Sequence, residues 1–416
     1  MNMNSISAVV STLLVSTSLF AQQPGQIKIL WDDTHAETSG TSADWCIDAD
    51  LHNLNWNPGA STGGTHSNPQ QYPTPTQTAV TSSTAETYWE GALSYWAIDC
   101  VNKGYWVESL PPLTGQITYG STTNTQDLSK YNVFVVCEPN IRFTQAEITA
   151  MMNFIQNGGS LFAISDHTVS DRNNDGWDSP MIWNDFMTNN PVQNNAFGYK
   201  FASDNFSGLS NNMVTTGDSI TRGPYGNVAE VQWSNGTAMY INPSQNPSVK
   251  AHIWKSGAGQ TDTAALCVTA RWKCGKIASI GDSSPPDDGT GNPASTLYTG
   301  YTGDAAGNHR PWLMNMMIWL AEGTNCTTMG INSLEQSNTV SVYPNPTSTI
   351  LNVELGIQNS ASLVEVTDVL GNVLIHNSEF LTHNLTLDVS GLNPGIYFVK
   401  VIADGKALQT VKVIKQ

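Results

Sequence analysis

Basic residues are scarce in this chain. Lys and Arg number 17 against 34 Asp and Glu, a formal charge of −17 over 416 residues. A nucleic-acid or anionic-membrane partner needs a basic face, so neither is expected as the main partner. Cation binding is compatible with that balance. Charge of either sign is sparse too, at 12% of residues, and Asn, Thr, Ser, Gly and Gln cover much of the surface, as suits an extracellular bacterial protein. A run of about 20 apolar residues, the length of a membrane span, is also missing. The apolar stretch Ala8 to Phe20 is too short and too polar for one. With Ala21 as a cleavage residue it reads as a secretory signal peptide over 1–21, although its first residues hold no Lys or Arg. Export would permit disulfides among the six cysteines. Cys267 with Cys274 and Cys46 with Cys100 are the candidate pairs.

The most informative stretch is 131–180. Val133-Phe-Val-Val-Cys137 is a short apolar run rich in β-branched residues, the pattern of a strand buried on both faces. Thr144 and Glu147 have capping-box spacing, Ile148, Met151, Met152 and Ile155 recur at helical spacing, and Asn157-Gly158-Gly159 stops the helix. Leu161-Phe-Ala-Ile164 is the next strand. Strand, helix and strand make a βαβ unit and predict parallel pairing. Upstream, Gln26 to Trp31 and Tyr105 to Glu108 read as strands. A helix is expected over Ser83 to Asn102, with Ser83 and Glu86 in capping-box spacing. Downstream, Val249 to Trp254, Ala264 to Ala270 and Lys276 to Ile280 read as strands and Pro311 to Ala321 as an amphipathic closing helix. The order predicts a doubly wound α/β fold with a mainly parallel sheet.

Polar residues follow the strands. Asp32 and His35 come after the first, Glu138 after the Val133–Cys137 run, Asp166 and His167 after the Leu161–Ile164 run, and Asp282 after a late one. Ligands of open α/β sheets bind beyond the carboxyl ends of the strands, so these six are the candidate catalytic residues. Carboxylates with His can hold a divalent metal and activate water, which raises a second, catalytic divalent metal as a candidate, or they can act as a base and its orienting group. Taken singly, each Asp is also an ordinary turn or N-cap residue. Separately, Asp171, Asn173, Asp175 and Asp178, with Gly176 among them, have the alternating spacing of a calcium loop. Ile182 occupies the twelfth position, where an EF-hand needs Glu. The 13 tryptophans suit core packing better than a sugar-binding cleft.

Lys130-Tyr131, Phe143-Thr-Gln-Ala-Glu147 and Asn157-Gly-Gly-Ser-Leu161 resemble the class I glutamine-amidotransferase-like superfamily, nearest to gliding-motility and ABC-transport auxiliary domains. The resemblance implies an α/β fold and no particular reaction. The Gly-x-Cys-x-Gly elbow of true amidotransferases is missing around Cys137, which therefore reads as a buried strand thiol. Gly281-Asp-Ser283 has the wrong chain position, and lacks the downstream Asp-x-x-His, for an SGNH esterase.

From residue 339 the pattern changes to short alternating strands and turns, a small β-sandwich. Tyr343-Pro-Asn-Pro346, Asp368-x-x-Gly371, Leu392-Asn-Pro-Gly-Ile-Tyr397 and Lys415 closely resemble the Bacteroidetes type IX secretion system C-terminal sorting domain. This resemblance implies export through the periplasm to the outer cell surface or medium, with the secretion machinery as partner through residues 339–416. The expected organisation is a signal peptide (1–21), an α/β domain with insertions (22–325), a linker (326–338) and the sorting domain (339–416). The expected function is a secreted hydrolase with a structural calcium loop, acting on an extracellular substrate. The alternative is a non-catalytic surface, ligand-binding or motility-associated protein.

Overall fold

The computed structural model describes residues 25–39, 45–48, 77–89, 91–112, 114–289, 300–303, 308–323, 340–355, 362–380, 384–403 and 406–416. The expected signal peptide and linker lie outside these. The chain divides into two compact units, Met1–Thr327 and Thr328–Gln416.

The first unit begins β1 (Lys28–Asp32), α1 (Ser94–Asn102), β2 (Trp106–Leu110), β3 (Val133–Cys137), α2 (Gln145–Gln156), β4 (Ser160–Ile164) and α3 (Ser179–Thr188). Its second half is mostly strand: β5 (Tyr199–Phe201), β6 (Phe206–Ser210), β7 (Arg222–Gly223), β8 (Gly226–Asn227), β9 (Val231–Gly236), β10 (Met239–Ile241), β11 (Lys250–Trp254), β12 (Ala265–Trp272) and β13 (Gly275–Ile280). The helices α4 (Gly300–Gly303) and α5 (His309–Ala321) follow. One nine-stranded sheet runs β2-β1-β3-β4-β13-β12-β10-β5, with β11 also paired to β12. The first five of these strands are mutually parallel and the others pair antiparallel.

The sheet is therefore mixed, and the mainly parallel expectation holds for only part of it. The direction reverses at Lys273-Cys274, the two-residue connection between β12 and β13, where Lys273 has φ 53°. So short a link permits only an antiparallel neighbour.

Alternation along the parallel strands divides the core between two faces. Leu30, Phe134, Val136, Leu161, Ala163 and Ile277 pack with Ile148, Met152 and Phe186 of α2 and α3. Ile29, Trp31, Val135, Phe162 and Ile280 pack with Trp96 of α1 and with Trp312 and Met316 of α5. At the start of α2 the Thr144–Glu147 capping box forms.

Three expectations need correction here. The helix expected from Ser83 begins only at Ser94, because Ser94 Oγ donates to the Glu86 carbonyl and the chain bends at Gly91. A Cβ on Gly91 would lie 2.2 Å from the Cys46 carbonyl oxygen, so the backbones touch there and only glycine fits. Second, α5 is buried almost all round rather than amphipathic, from His309 through Ala321. Third, neither expected disulfide forms. Cys46, Cys100 and Cys267 are buried and form no disulfide, whereas Cys274 is disulfide-bonded. Cys267 points into the core against Met316, with its sulfur 3.7 Å from the thioether.

The second unit comprises β14 (Val340–Tyr343), β15 (Ile350–Leu355), β16 (Ser362–Thr367), β17 (Val373–Phe380), β18 (Asn384–Asp388), β19 (Gly395–Ala403) and β20 (Lys406–Lys415). Two antiparallel sheets, β14-β15-β18 and β17-β16-β19-β20, share a core of Leu351, Val353, Val366, Leu387, Val399 and Val413. The Asp368 carboxylate holds the turn by accepting from the backbone N–H groups of Leu370 and Asn372, at 2.9 Å each.

Candidate active site

The parallel strands deliver acids to one edge of the sheet. Asp32 closes β1; its Oδ1 accepts from the backbone N–H (3.0 Å) and hydroxyl (2.6 Å) of Thr34. Its Oδ2 lies 2.9 Å from His35 Nδ1. The other ring nitrogen, Nε2, faces Glu147 Oε2 at 3.5 Å, and the ring packs against Phe143. Burial lowers an imidazole's pKa, but the charge and hydrogen bond of Asp32, then those of Glu147, outweigh it and push His35 up to about 9. Burial would raise Glu147, yet its bond to His35 and its capping contacts with Thr144 hold it down at about 2. At neutral pH both ring nitrogens thus donate to carboxylates. A doubly engaged imidazolium holds charge but cannot take up a proton.

Glu37 accepts the backbone N–H of His35 at 2.9 Å. Complete burial, followed by the charges of Asp32 and Asp33, raises its carboxyl well above the usual range.

Glu138, one residue past β3 at φ +50°, is fully buried. Its Oε1 accepts from Arg172 Nε (3.0 Å), and its Oε2 from Trp45 Nε1 (2.6 Å) and Ser283 Oγ (2.8 Å). Asp166, past β4, accepts from Arg172 Nη2 at 3.0 Å. One guanidinium therefore joins the ends of two neighbouring strands.

Asp282, past β13, accepts from the backbone N–H groups of Ser284 (2.8 Å) and Ser234 (2.5 Å). Burial pushes it up to about 7 against these bonds, with Glu138's charge adding to the rise. Asp166 is raised well above its ordinary value by burial, then by the charges of Glu138 and Asp282. His167 Nδ1 donates to the Thr168 carbonyl at 2.6 Å, which leaves Nε2 as the acceptor, 3.7 Å from Asp166 Oδ2.

Asn140 ties the two groups together. Its backbone N–H donates to the His35 carbonyl (2.8 Å), its Nδ2 to those of Ala36, Thr38 and Glu138, and its Oδ1 accepts from Arg172 N–H.

The loop from Asp171 is closed by its own hydrogen bonds. Asp171 accepts from the N–H groups of Asp175 (3.1 Å) and Gly176 (2.8 Å), Asn173 Oδ1 from Asp175 N–H (3.2 Å), and Asp175 from Trp177 N–H (2.9 Å). Asp178 stands apart from them as the N-cap of α3. It accepts from the N–H groups of Met181 (2.9 Å) and Val169 (2.8 Å).

The sequence did not single out Glu37, Asn140 or Arg172. Arg172 lay inside the Asp/Asn run read as a calcium loop. The sequence marks Glu147 as a cap and carries no sign of its contact with His35.

The second unit is of the sorting-domain class. Residues 341–416 match the family model described as a secretion system C-terminal sorting domain. This match supports export by the type IX secretion system to the cell surface or beyond. Among the described residues no helix is long and apolar enough to cross a membrane.

No curated protein matches the chain. Of solved structures, the mmIFT52 N-terminal domain is 12% identical, with 59% of this chain and 97% of that one covered and a TM-score of 0.40. A cytoplasmic protein of Salmonella typhimurium is 12% identical over 55% of this chain and 87% of its own, with a TM-score of 0.36. PorZ, a surface component of the type-IX secretion system of Porphyromonas gingivalis, is 24% identical over 22% of this chain and 13% of its own, with a TM-score of 0.17. These TM-scores are too low to carry an argument about fold or function.

Proposed function

We propose that residues 22–325 form an exported hydrolase on a doubly wound, amidotransferase-like α/β core, joined by a linker (326–338) to the sorting domain (339–416). Helices on both faces of the parallel strands support that description of the core. The observation that carries the catalytic reading is the meeting of Glu138, Asp166 and Asp282, from the ends of three neighbouring strands, near the Arg172 guanidinium and beside His167.

In this reading His167 Nε2 takes a proton from water as the water oxygen attacks the substrate. Asp282, protonated in part near neutral pH, supplies a proton to the leaving group. Arg172 keeps Glu138 and Asp166 in place. A screen of the purified protein against ester, amide, glycosidic and phosphoester substrates should find one class hydrolysed. Failure on all classes would favour a non-catalytic, ligand-binding surface protein. That second reading has support of its own, since Glu138 and Asp282 are fully buried and Asp166 is only 3% exposed.

The loop at Asp171, Asn173 and Asp175 is proposed to hold a structural calcium ion, with Asp178 anchoring the helix that follows. Calcium at a hundredfold excess over Kd would then add about 2.7 kcal/mol of stability. The melting temperature of the wild type should rise with calcium, and that of Asp175→Ala should not. An equal rise in both would place the ion elsewhere.

A further inference from the structure

We propose that Asp32, His35 and Glu37 form a site for one divalent transition-metal ion of the Zn²⁺ or Mn²⁺ type, distinct from the Asp171 loop. The site stands whether or not the neighbouring acids prove catalytic. One ligand atom from each of the three residues lies within 4.8 Å of the others, and all three residues are buried, the most exposed at 3%. One imidazole nitrogen with two carboxylate oxygens is a donor set of borderline hardness, suited to these ions and not to calcium, which takes oxygen alone.

The local geometry already sorts the donor atoms. Thr34 occupies Asp32 Oδ1 through both its N–H and its hydroxyl, which leaves Oδ2 turned to His35 Nδ1 at 2.9 Å. The Thr34 hydroxyl also lies 2.8 Å from Nδ1. Donors at ~2.0–2.1 Å from a tetrahedral ion stand about 3.3 Å apart, so the Asp32–His35 pair needs to open by a few tenths of an ångström, with Glu37 completing the set from within 4.8 Å. Glu37 is anchored by the backbone N–H of His35, so its carboxyl group returns toward the same point.

Behind the ring, Glu147 Oε2 lies 3.5 Å from Nε2. Metal-bound histidines characteristically give the second ring N–H to a carboxylate, which fixes the ring and raises its basicity. Glu147 is itself fixed by the capping box of α2. Charge gives the same direction. Asp32, Asp33 and Glu37 are all buried, and buried carboxylates need a compensating partner or cation beside them. A divalent ion answers that need better than the single imidazolium.

The test is metal binding by the purified full-length protein, stripped with chelator and titrated with Zn²⁺ and with Mn²⁺. The expected result is one equivalent bound, lost in Glu37→Gln, kept in Asp175→Ala and weakened about 10- to 100-fold in Glu147→Gln. X-ray absorption of the Zn²⁺-loaded wild type should show one imidazole and otherwise oxygen ligands near 2.0–2.1 Å. This second reading holds even if Glu37→Gln fails to fold. No bound ion, binding unchanged in a folded Glu37→Gln, loss of the ion with Asp175→Ala, or a shell without imidazole would each overturn the proposal.

Discussion

Cells expressing the chain without residues 339–416 will keep a folded α/β domain inside the cell envelope and release none of it. Both halves of this expectation come from packing. Among the described residues, the two hydrophobic clusters of the first unit are built from residues no later than Ala321, and the truncation takes none of these away. The second unit has a core of its own, and its last strand, β20, pairs along its length with β19. Its removal takes away the export signal as one piece. Accumulation of the truncated protein in the medium at the full-length level would contradict the role given to this unit.

The second large effect is on turnover. His167→Ala should lower the hydrolytic rate ~10²–10⁴-fold, the usual contribution of a general base, beyond any change that follows from stability. The ring makes one hydrogen bond, to the adjacent Thr168 carbonyl, and its side chain is 13% exposed. Some packing is therefore lost with it, and the rate is to be compared where the variant is still folded. His35→Ala is a different case, because it leaves Asp32 and Glu147 without their shared cation and should act on stability as well. If His167→Ala lost stability and kept its rate, His167 would be structural.

Much of the parallel half was legible because its signals are local. The β3–α2–β4 unit showed in two short apolar runs, a capping box and an Asn-Gly-Gly stop. The strand-end rule located Asp32, Glu138, Asp166 and Asp282 without knowledge of the partners. What stayed hidden depends on contacts between distant residues. Glu147 meets His35 across the helix start, Arg172 enters from a loop rich in Asp and Asn, and Asn140 joins two strand ends through backbone carbonyls. No periodicity reports such contacts. The antiparallel half was hidden for a related reason. Its strands are apparent, but their direction depends on whether two residues, Lys273 and Cys274, make the whole connection. Cysteine spacing misled for the same reason, since Cys267 faces the core and Cys274 sits in the turn.

Asp282 reports on the site that it is proposed to form with Glu138 and Asp166. Burial, aided by Glu138, holds its pKa at about 7, above the ordinary value of 3.8. Through this group the folded state is favoured below the ordinary value and loses stability as pH rises from about 4 to about 7. Carboxyl carbon-13 NMR of aspartate-labelled protein should show Asp282 titrating near pH 7, with a lower midpoint in Glu138→Gln. A midpoint in the ordinary aspartate range, unmoved by that substitution, would show that Asp282 and Glu138 do not form one site.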